Sequence, residues 1–527
     1  MKDRVSLTDF LMYHKETHPI SFHMPGHKGR STLYGIYGFG DFVKNVVGND
    51  ITEIPGADAL QQPRERIRDI MEGYAGLYGA KHTELLVNGS SAGLMASILS
   101  SVPRGGKLLM GRNSHKSVYG ALRLGGIDPV YIMPEIDGET GLQLGLDPDK
   151  IEAALIEDPG IKAVLVTSPN YYGVLSDIER IASIVHLHGR ILIVDQAHGA
   201  HLKFFDYLRS EDGLPHRAAE NCGADIVVDS THKTLLSFTG SAILNICTER
   251  PDVSRISELL RMLQTTSPSY LLMGSLDINQ QILRMDGYNL IKNWDADIKY
   301  FYEEAAQIAG LGLIDRIDLD ETKVSITMSA LGLSGPELAE ELEKRNIWVE
   351  LTHGDYVMLM TGLGNERGDY EDVLSALRDL SAHHGVRIQG VEPESSASKT
   401  ESAAQDATHK QAKNEAQAAS KNASQPVDKN AELRTPSSDS ALIERLEQRK
   451  IPDTYEEIPL YSAEGRVLYE SIIPYPPGTP IACPGEVLSK SVILYVRDQL
   501  VAQHVVLGVD EEGRVKVESD CVLFKEI

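Results

Sequence analysis

Lys233 and Asp195 are the residues whose types and positions in this sequence most directly predict a reaction. Lys233 ends the string Ser230-Thr231-His232-Lys233, which follows the apolar run Ile226–Val228, and Asp195 ends the apolar run Ile191–Val194. A lysine at the carboxyl end of a buried strand is a candidate amine for a Schiff base. A lysine that holds an aldehyde and an aspartate that keeps a pyridine nitrogen protonated are the two anchors of pyridoxal phosphate (PLP). The pair therefore predicts a PLP site.

A turn rich in glycine and serine predicts the phosphate end of that site. The string Asn88-Gly89-Ser90-Ser91-Ala92-Gly93 precedes the helical run Leu94–Leu99. A turn that opens a helix presents free backbone N–H groups and the positive end of the helix dipole, which suit a phosphate. An ordinary serine N-cap is the alternative, and by itself it is the more common case. The nearby lysine and aspartate favour the phosphate, with cofactor contacts at Ser90, Ser91 and Ala92.

Two histidines and a small residue are candidates for the rest of the cofactor site. His115 lies in Asn113-Ser114-His115-Lys116, where its imidazole would either stack on the cofactor ring or face solvent. Asp195 itself has an alternative role as the N-cap of the next segment. Ala197 is small enough for a ring to lie flat against the strand end. His198 is placed to hydrogen-bond the cofactor or a substrate carboxylate.

The spacings of His23 with His27, and of His198 with His201, are also found in metal sites. Neither pair comes with a carboxylate cluster or a CxxC motif, so no metal is predicted. The turn His23-Met24-Pro25-Gly26-His27-Lys28 is either a plain loop or part of a site. Its many donors favour a site role for His27, facing the active site of a partner subunit.

Apolar strands that alternate with helical stretches must position these residues. The predicted strands are Glu84–Val87, Lys107–Met110, Ala163–Val166, Ile191–Val194, Ile226–Val228 and Ala242–Ile246. Connections of this length are typical of a mostly parallel sheet with helices on both faces. Ligands bind such sheets beyond the carboxyl ends of the strands. Polar residues follow five of these strands, which is stronger support for a site than any single motif.

The chain divides into five predicted parts. Residues 1–50 form an N-terminal arm, 51–290 the major PLP-binding domain and 291–390 a smaller α/β domain. Residues 391–440 contain no aromatic residue and no Ile, so we predict a disordered linker. Residues 441–527 form a separate C-terminal domain with a proline-rich loop.

Composition excludes several classes of function. The formal net charge of −25 disfavours a nucleic-acid partner, which needs a basic surface. No apolar run reaches the roughly 18 residues of a transmembrane helix, and the N-terminus lacks an apolar signal region. The four cysteines show no close pairing that would indicate a disulfide framework. These features predict a cytoplasmic protein without a membrane span.

Taken together, these strings resemble the Orn/Lys/Arg decarboxylase family, in its shorter form. The matching strings are Phe22-His23-Met24-Pro25-Gly26-His27-Lys28-Gly29, Asp50-Ile51-Thr52-Glu53, Arg112-Asn113-Ser114-His115-Lys116-Ser117-Val118, Asp195-Gln196-Ala197-His198-Gly199-Ala200-His201, Ser230-Thr231-His232-Lys233-Thr234-Leu235, Thr266-Ser267-Pro268-Ser269-Tyr270-Leu271-Leu272, and the C-terminal Tyr475-Pro476-Pro477-Gly478-Thr479-Pro480 with Pro484-Gly485-Glu486. The resemblance spans nearly everything except the linker. It implies the α/β fold of the fold-type I PLP enzymes and a homodimer or a higher oligomer built from dimers.

The resemblance implies a role for each matching site residue. Lys233 binds the cofactor aldehyde, Asp195 the pyridinium nitrogen, and His115 stacks on the ring. His198 lies beside the reacting centre. The phosphate is held by Ser90, Ser91, Ser230 and His232.

Glu486 is a candidate contact for the substrate. The resemblance places the proline-rich loop that ends in Pro484-Gly485-Glu486 near the entrance of the active site, in the same or a neighbouring subunit. A carboxylate there would pair with the distal cation of a basic substrate. The alternative is that Glu486 caps a helix starting near Leu488.

The implied reaction is α-decarboxylation of arginine, lysine or ornithine to agmatine or a diamine, with release of CO2. An aminotransferase on the same scaffold and a non-catalytic regulator are the alternatives. The chain departs from the family pattern at Gln196, where Glu is usual, at Asn170, where Thr is frequent, at Thr239-Gly240, where Gln is frequent, and at Ala57–Leu60. These changes spare the cofactor site and leave the substrate open.

Overall fold

The computed structural model describes residues 6–388, 446–475, 478–501 and 505–519. The predicted linker, residues 391–440, lies outside the described residues. The N-terminal elements are α1 (Leu7–Glu16), β1 (Ile20–Phe22), α2 (Ser31–Ile36), α3 (Gly40–Lys44) and α4 (Val46–Asn49). No helix among the described residues is both long and apolar enough to cross a membrane.

A seven-stranded sheet forms the centre of the major domain. Its strands are β2 (His82–Leu86), β3 (Lys107–Gly111), β4 (Asp128–Ile132), β5 (Ile161–Thr167), β6 (Ile191–Asp195), β7 (Ile226–Asp229) and β8 (Ala242–Ile246). The strand order is β2-β8-β7-β6-β5-β3-β4. Strand β8 is antiparallel to both of its neighbours, and the remaining pairs are parallel. The predicted mostly parallel sheet is confirmed.

Helices cover both faces of this sheet. They are α5 (Arg66–Tyr78), α6 (Gly89–Ser101), α7 (Lys116–Gly125), α8 (Pro148–Glu157), α9 (Ile178–Leu187), α10 (Leu202–Glu211), α11 (Thr231–Thr234), α12 (Val253–Leu263) and α13 (Tyr270–Ala305). Ile193 of β6 packs with α6 and α7 on one face, while Leu192 and Val194 pack with α8 and α9 on the other. Because both faces are covered, the strands read as continuous apolar runs rather than as an alternating pattern.

Strand β4 was absent from the sequence prediction. It lies at the edge of the sheet and begins with Asp128-Pro129. Proline is tolerated in an edge strand because no partner strand needs its missing N–H group. A sequence that contains proline does not resemble a central strand, so this strand was not predicted.

The smaller domain contains β9 (Gly312–Leu313), β10 (Lys323–Thr327), α14 (Gly335–Glu343), β11 (Ile347–Val349), β12 (Leu351–His353), β13 (Tyr356–Met360) and α15 (Arg367–Ile388). Strand β1 pairs in parallel with β11, so the N-terminal segment adds a strand beside this domain. The predicted boundary at residue 290 falls inside α13, close to the non-helical backbone of Asp286.

The described part of the C-terminal domain has its own apolar core. Its elements are β14 (Tyr455–Pro459), β15 (Ile473–Tyr475), α16 (Lys490–Val501), β16 (Val505–Leu507) and β17 (Arg514–Glu518). Strand β14 pairs with β17, and β15 pairs with β16. Cys483 packs instead against the core of the major domain, which joins the two domains.

Candidate active site

A cavity of about 580 Å³ lies at the carboxyl ends of the central strands. Nine of the predicted site residues line it: Ser90, Ser91, His115, Asp195, Ala197, His198, Ser230, His232 and Lys233. The predicted contact Ala92 lies buried in the first turn of α6, behind the wall formed by its neighbours. The predicted site residues lie together because the carboxyl ends of parallel strands meet at one edge of the sheet.

Lys233 and Asp195 both line this cavity, and they come from the ends of neighbouring strands. Lys233 lies in the short helix α11 directly after β7, and Asp195 ends β6. Burial lowers the pKa of Lys233 to about 8, although Asp195 acts to raise it. Burial raises the pKa of Asp195, whereas Lys233 and the Ala197 N–H group, 3.2 Å from its Oδ1, act to lower it. An amine with a lowered pKa is a better nucleophile near neutral pH.

His198 contacts Lys233 directly. Its Nε2 lies 2.9 Å from the Lys233 Nζ, and its ring meets the edge of the Tyr171 ring at a centroid distance of 4.8 Å. Burial lowers its pKa well below the ordinary value, and Lys233 lowers it further, so the imidazole is neutral. When Nε2 accepts from Lys233, the proton lies on Nδ1, which has no hydrogen-bond partner among the described residues. A proton can therefore pass between the two side chains.

His115 presents a neutral ring to the cavity. It is the N-cap of α7, and its Nδ1 accepts from the Ser117 N–H group at 3.2 Å. Burial lowers its pKa to about 3, with a further lowering by Lys233. The cap holds the ring in one orientation, as a stacking role requires. That role stays a prediction.

The end of the cavity at α6 offers donors to an anion. Helix α6 begins at Gly89, whose φ of 71° belongs to the left-handed region, and its N-cap Asn88 makes no side-chain capping bond. The expected alternative, a serine N-cap, is therefore wrong. The first N–H groups of a helix lack partners within it. The buried Ser230 Oγ, which lines the same cavity, likewise has no hydrogen-bond partner among the described residues. These groups fit a phosphate.

Several wall residues were missed from the sequence. Thr167 ends β5 and pairs in register with Asp195, so the strand-end rule that found the other residues could have found it. Glu350 and Trp348 come from the smaller domain, and Thr479 comes from the C-terminal domain. No local pattern marks these three, because their position depends on how the domains pack.

His27 does not line the cavity, although His23, Met24 and Pro25 do. Its Nδ1 accepts from the Gly29 N–H group at 3.0 Å, and its ring packs against Phe238. Gly26, which precedes His27, packs closely against the backbone of Thr234 and Leu235. The expectation that His27 faces a partner subunit stays a prediction.

Glu486 is not placed as a substrate contact, which corrects the expectation from the sequence. It is 2% exposed, and its carboxylate accepts from the Arg112 guanidinium at 2.9 and 3.2 Å and from the Cys483 N–H group at 2.7 Å. Arg112 also donates to the Pro480 carbonyl at 2.8 Å. The capping alternative is wrong too, because Ser489 accepts from the N–H group of the first turn of α16. Glu486 joins the C-terminal domain to the end of β3.

We therefore expect Glu486→Gln to lower stability and leave substrate binding unchanged. Removing one charge of a buried ion pair leaves Arg112 uncompensated, at a cost of about 3 kcal/mol in the free energy of unfolding. Chemical denaturation measures this loss, and KM is measured on the same protein. Glu457→Gln, at an exposed partner of Arg514, is the control. A raised KM at unchanged stability would restore the substrate-contact role.

The three departures from the family pattern at Gln196, Asn170 and Gly240 are structural here. Asn170 Oδ1 accepts from two N–H groups of its own turn, at 3.0 Å each. Gly240 has a φ of 94°, which favours glycine. Gln196 is fully buried and donates to Glu220 and to Asp229, each at 3.0 Å. None of these three lines the cavity, but Thr239, which belongs to the same departure as Gly240, does.

Gln196→Glu is expected to destabilise the fold at pH 8, because it adds a third carboxyl group to Glu220 and Asp229. Burial, and next Glu220, raise the folded-state pKa of Asp229 well above its unfolded value. The folded state thus binds more protons than the unfolded chain, and stability is lost as pH rises through that folded-state pKa. We expect a loss of about 1–3 kcal/mol that shrinks as the pH falls towards 5. Denaturation at several pH values measures it, and a pH-independent loss would contradict this reading. Adding Glu220→Gln should recover part of the loss.

His201 takes no part in a histidine pair of the kind found in metal sites. Its Nε2 lies 3.1 Å from Asp320 Oδ1, and its Nδ1 lies 3.2 Å from Thr234 Oγ1. Across the described ranges, no group of three or more His, Cys, Asp or Glu side chains could hold a metal ion.

Comparison with solved structures identifies proteins that share this fold. The chain matches a lysine decarboxylase structure from Pseudomonas aeruginosa with a TM-score of 0.69 at 19% identity, over 97% of this chain and 80% of that one. It matches the Francisella novicida lysine decarboxylase with a TM-score of 0.67 at 17% identity, over 93% and 76% of the two chains. These similarities show a common fold.

Comparison of sequences extends the match to the family. Residues 5–311 match the major domain of Orn/Lys/Arg decarboxylases, and residues 436–508 match their C-terminal domain. An arginine decarboxylase of Bacillus anthracis is 30% identical over 519 residues, which cover 95% of this chain and 94% of that protein. A lysine decarboxylase of Pseudomonas aeruginosa is 23% identical over 90% of this chain. With the strand-end cavity and its lysine–aspartate pair, these matches show that the chain belongs to the Orn/Lys/Arg decarboxylase family.

Proposed function

We propose that this protein is a PLP-dependent decarboxylase of a basic amino acid, with arginine as the first substrate to test. The observation that carries the proposal is the Lys233 amine, 2.9 Å from a neutral His198 and in one cavity with Asp195. Arginine comes first because the relatives at 30% identity are arginine decarboxylases. Lysine and ornithine are the other members of the substrate class.

The residues of the cavity fit PLP. Lys233 would hold its aldehyde carbon and Asp195 its pyridine nitrogen, while His115 would cover the ring. The unpartnered Ser230 Oγ, together with the N–H groups at the start of α6, would hold its phosphate. Without a ligand the buried Ser230 Oγ has no compensating hydrogen bond among the described residues, which costs free energy.

Bound PLP supplies an electron sink for the electron pair that is left on Cα when CO2 departs. The chain's own residues supply the rest of the chemistry. The Asp195 carboxylate keeps the pyridine nitrogen protonated, which maintains that sink. Lys233 and His198, 2.9 Å apart, hold the proton that Cα must receive. Tyr171 and Trp348 help to close the cavity walls, which keeps water from competing for that step.

We propose that Glu350 recognises the distal cation of the substrate. It lies on the cavity wall, where Met24 N–H donates to its Oε2 at 2.9 Å and Tyr171 OH donates to its Oε1 at 3.0 Å. Both of these donors are neutral, and no salt bridge among the described residues includes Glu350, although its charge also acts on Lys28 and Lys233. A guanidinium or ammonium group suits such a carboxylate.

Glu350→Gln should therefore raise KM for the basic amino acid about 10-fold to 100-fold and change kcat less, because the lost ion pair acts in both ground and transition states. An uncharged analogue of equal length should show the same KM in both proteins. Glu249→Gln, at an exposed partner of Lys81, is the control. An unchanged KM for the basic substrate would remove Glu350 from this role.

The experiment that tests the proposed function is a product assay on purified protein loaded with PLP. We expect amine and CO2 from at least one of arginine, lysine and ornithine. A keto acid product without CO2 would favour the aminotransferase alternative. No product, together with no cofactor absorbance in the visible range, would favour the non-catalytic alternative.

We also propose that the protein is a homodimer or a higher assembly of dimers. Apolar side chains of the N-terminal helices lie exposed in the single chain, among them Phe10, Met12, Ile36 and Val47. A second copy of the chain would cover such a surface. Light scattering coupled to gel filtration tests this assembly, and a monomer at micromolar concentration would refute it.

A further inference from the structure

A buried cluster of charged and polar groups lies behind the wall that carries His198. Asp320, Thr322 and Lys323 come from the start of β10 and the turn before it, in the smaller domain, and all three are fully buried. The Lys323 ammonium donates to Asp320 Oδ2 at 3.0 Å and to Thr322 Oγ1 at 3.1 Å. A fully buried ion pair is stable only when its hydrogen bonds are made. Removing one of the two charged partners lowers the stability of the fold strongly.

The third bond of this ammonium reaches the cavity wall. Lys323 Nζ donates to the backbone carbonyl of His198 at 3.1 Å, and the His198 Nε2 lies 2.9 Å from the Lys233 Nζ. Two hydrogen bonds therefore lead from the smaller domain to the catalytic lysine of the major domain. The mechanism proposed above uses the last of these bonds and does not involve Lys323.

Asp320 makes further hydrogen bonds within this cluster. Asp320 Oδ1 lies 3.1 Å from His201 Nε2 and accepts from Thr322 Oγ1 at 2.8 Å. Burial acts to raise the pKa of Asp320, but His201 and Lys323 hold it below its ordinary value, so the carboxylate stays ionised. A permanent anion fixes the position of the Lys323 ammonium.

We infer that Lys323 is a positioning residue, which, clamped by Asp320, holds the His198 backbone so that its imidazole meets the Lys233 amine. This inference rests on the proposed function, because it assigns Lys323 to the proton-transfer pair of that reaction. It makes the smaller domain part of the catalytic geometry.

The charge of Lys323 gives the inference a second, independent readout. The charged or titratable groups that interact with Lys233 are Asp195, Glu350, Lys323, His198, His115 and His232. Among them Lys323 is the cation, and it lowers the pKa of Lys233, while the two carboxylates raise it. Removing that cation should raise the pKa of the Lys233 amine, an effect that a purely structural residue would not produce.

The test is the double variant Lys323→Met with Asp320→Asn, which removes both charges and leaves no buried ion without its partner. Trace acetylation of the full chain without cofactor, measured by peptide mass spectrometry over a pH series, reports the titration of Lys233. We expect its midpoint to rise by about half a pH unit or more.

With PLP, we expect kcat to fall about 10-fold to 100-fold with a smaller change in KM. The milder pair Lys323→Gln with Asp320→Asn keeps an N–H donor towards the His198 carbonyl, and it should recover part of kcat while the titration stays shifted.

Asp369→Asn is the matched control, because it removes a carboxylate that joins the smaller domain to Arg30 of the N-terminal arm without touching His198. It should lower thermal stability and leave both readouts unchanged. The inference is overturned if the Lys323→Met double variant shows an unchanged Lys233 titration and an unchanged kcat. If that variant fails to fold, the same two results in the Lys323→Gln double variant overturn it. If the wild type yields no amine, the proposed function fails, while the acetylation experiment still decides whether Lys323 acts on Lys233.

Discussion

Lys233→Ala is expected to abolish formation of the amine product while the protein keeps its fold. The side chain supplies the amine that holds the cofactor and, with His198, the proton for Cα, so one substitution removes both functions. Loss of a nucleophile of this kind lowers kcat by about 10⁴-fold or more. Product assays at saturating substrate measure the rate, and circular dichroism measures the fold.

Labelling identifies the lysine independently of activity. Borohydride reduction of the PLP-loaded wild type, followed by peptide mass spectrometry, should find the cofactor on Lys233. Lys81→Ala, which removes an exposed ion pair with Glu249, is the control and should behave as wild type. Cofactor attached to any other lysine would disprove the assignment.

Asp195→Asn is expected to retain bound PLP and to lose most of the activity. The carboxylate is 3% exposed and lies close to Lys233, where its charge acts through little solvent. A neutral amide has almost the same shape but no longer favours the protonated pyridine nitrogen, so the electron sink weakens. We expect kcat to fall about 10²-fold to 10³-fold, as for other lost electrostatic contacts to a transition state.

Cofactor content and rate must be measured together for this variant. Absorbance in the visible range gives the PLP occupancy, and rates are expressed per bound cofactor. Asp158→Asn, at a partly exposed partner of Lys107, is the matched control. Near-normal turnover at full occupancy would exclude Asp195 from the proposed role.

The sequence predicted the sheet and the residues at its strand ends for one physical reason. A strand covered on both faces must be apolar throughout, so β6 and β7 are visible as continuous runs. Parallel strands end at the same edge, which brought Asp195 and Lys233 together without knowledge of any contact. The turn residues indicated a helix in this region but placed its start at Leu94, whereas α6 begins at Gly89.

Residues that reach the site from other domains could not be predicted in this way. Glu350 belongs to the smaller domain, and Thr479 belongs to the C-terminal domain, so their places depend on packing between distant parts of the chain. Glu486 illustrates the same problem with the opposite result. Its charge suggested a substrate contact, but its carboxylate forms a buried ion pair with Arg112, which lies 374 positions away along the chain.

The composition of the cavity wall has a consequence for how the protein is made. His23 lies near the N-terminus and Thr479 near the C-terminus, yet both belong to the same wall. A growing chain on the ribosome releases its N-terminal strands long before residue 479 has been synthesised. The major domain has time to fold first, since domains generally fold as units during synthesis. The cavity is completed only when the C-terminal domain docks, so full enclosure of a cofactor is among the last steps of biogenesis.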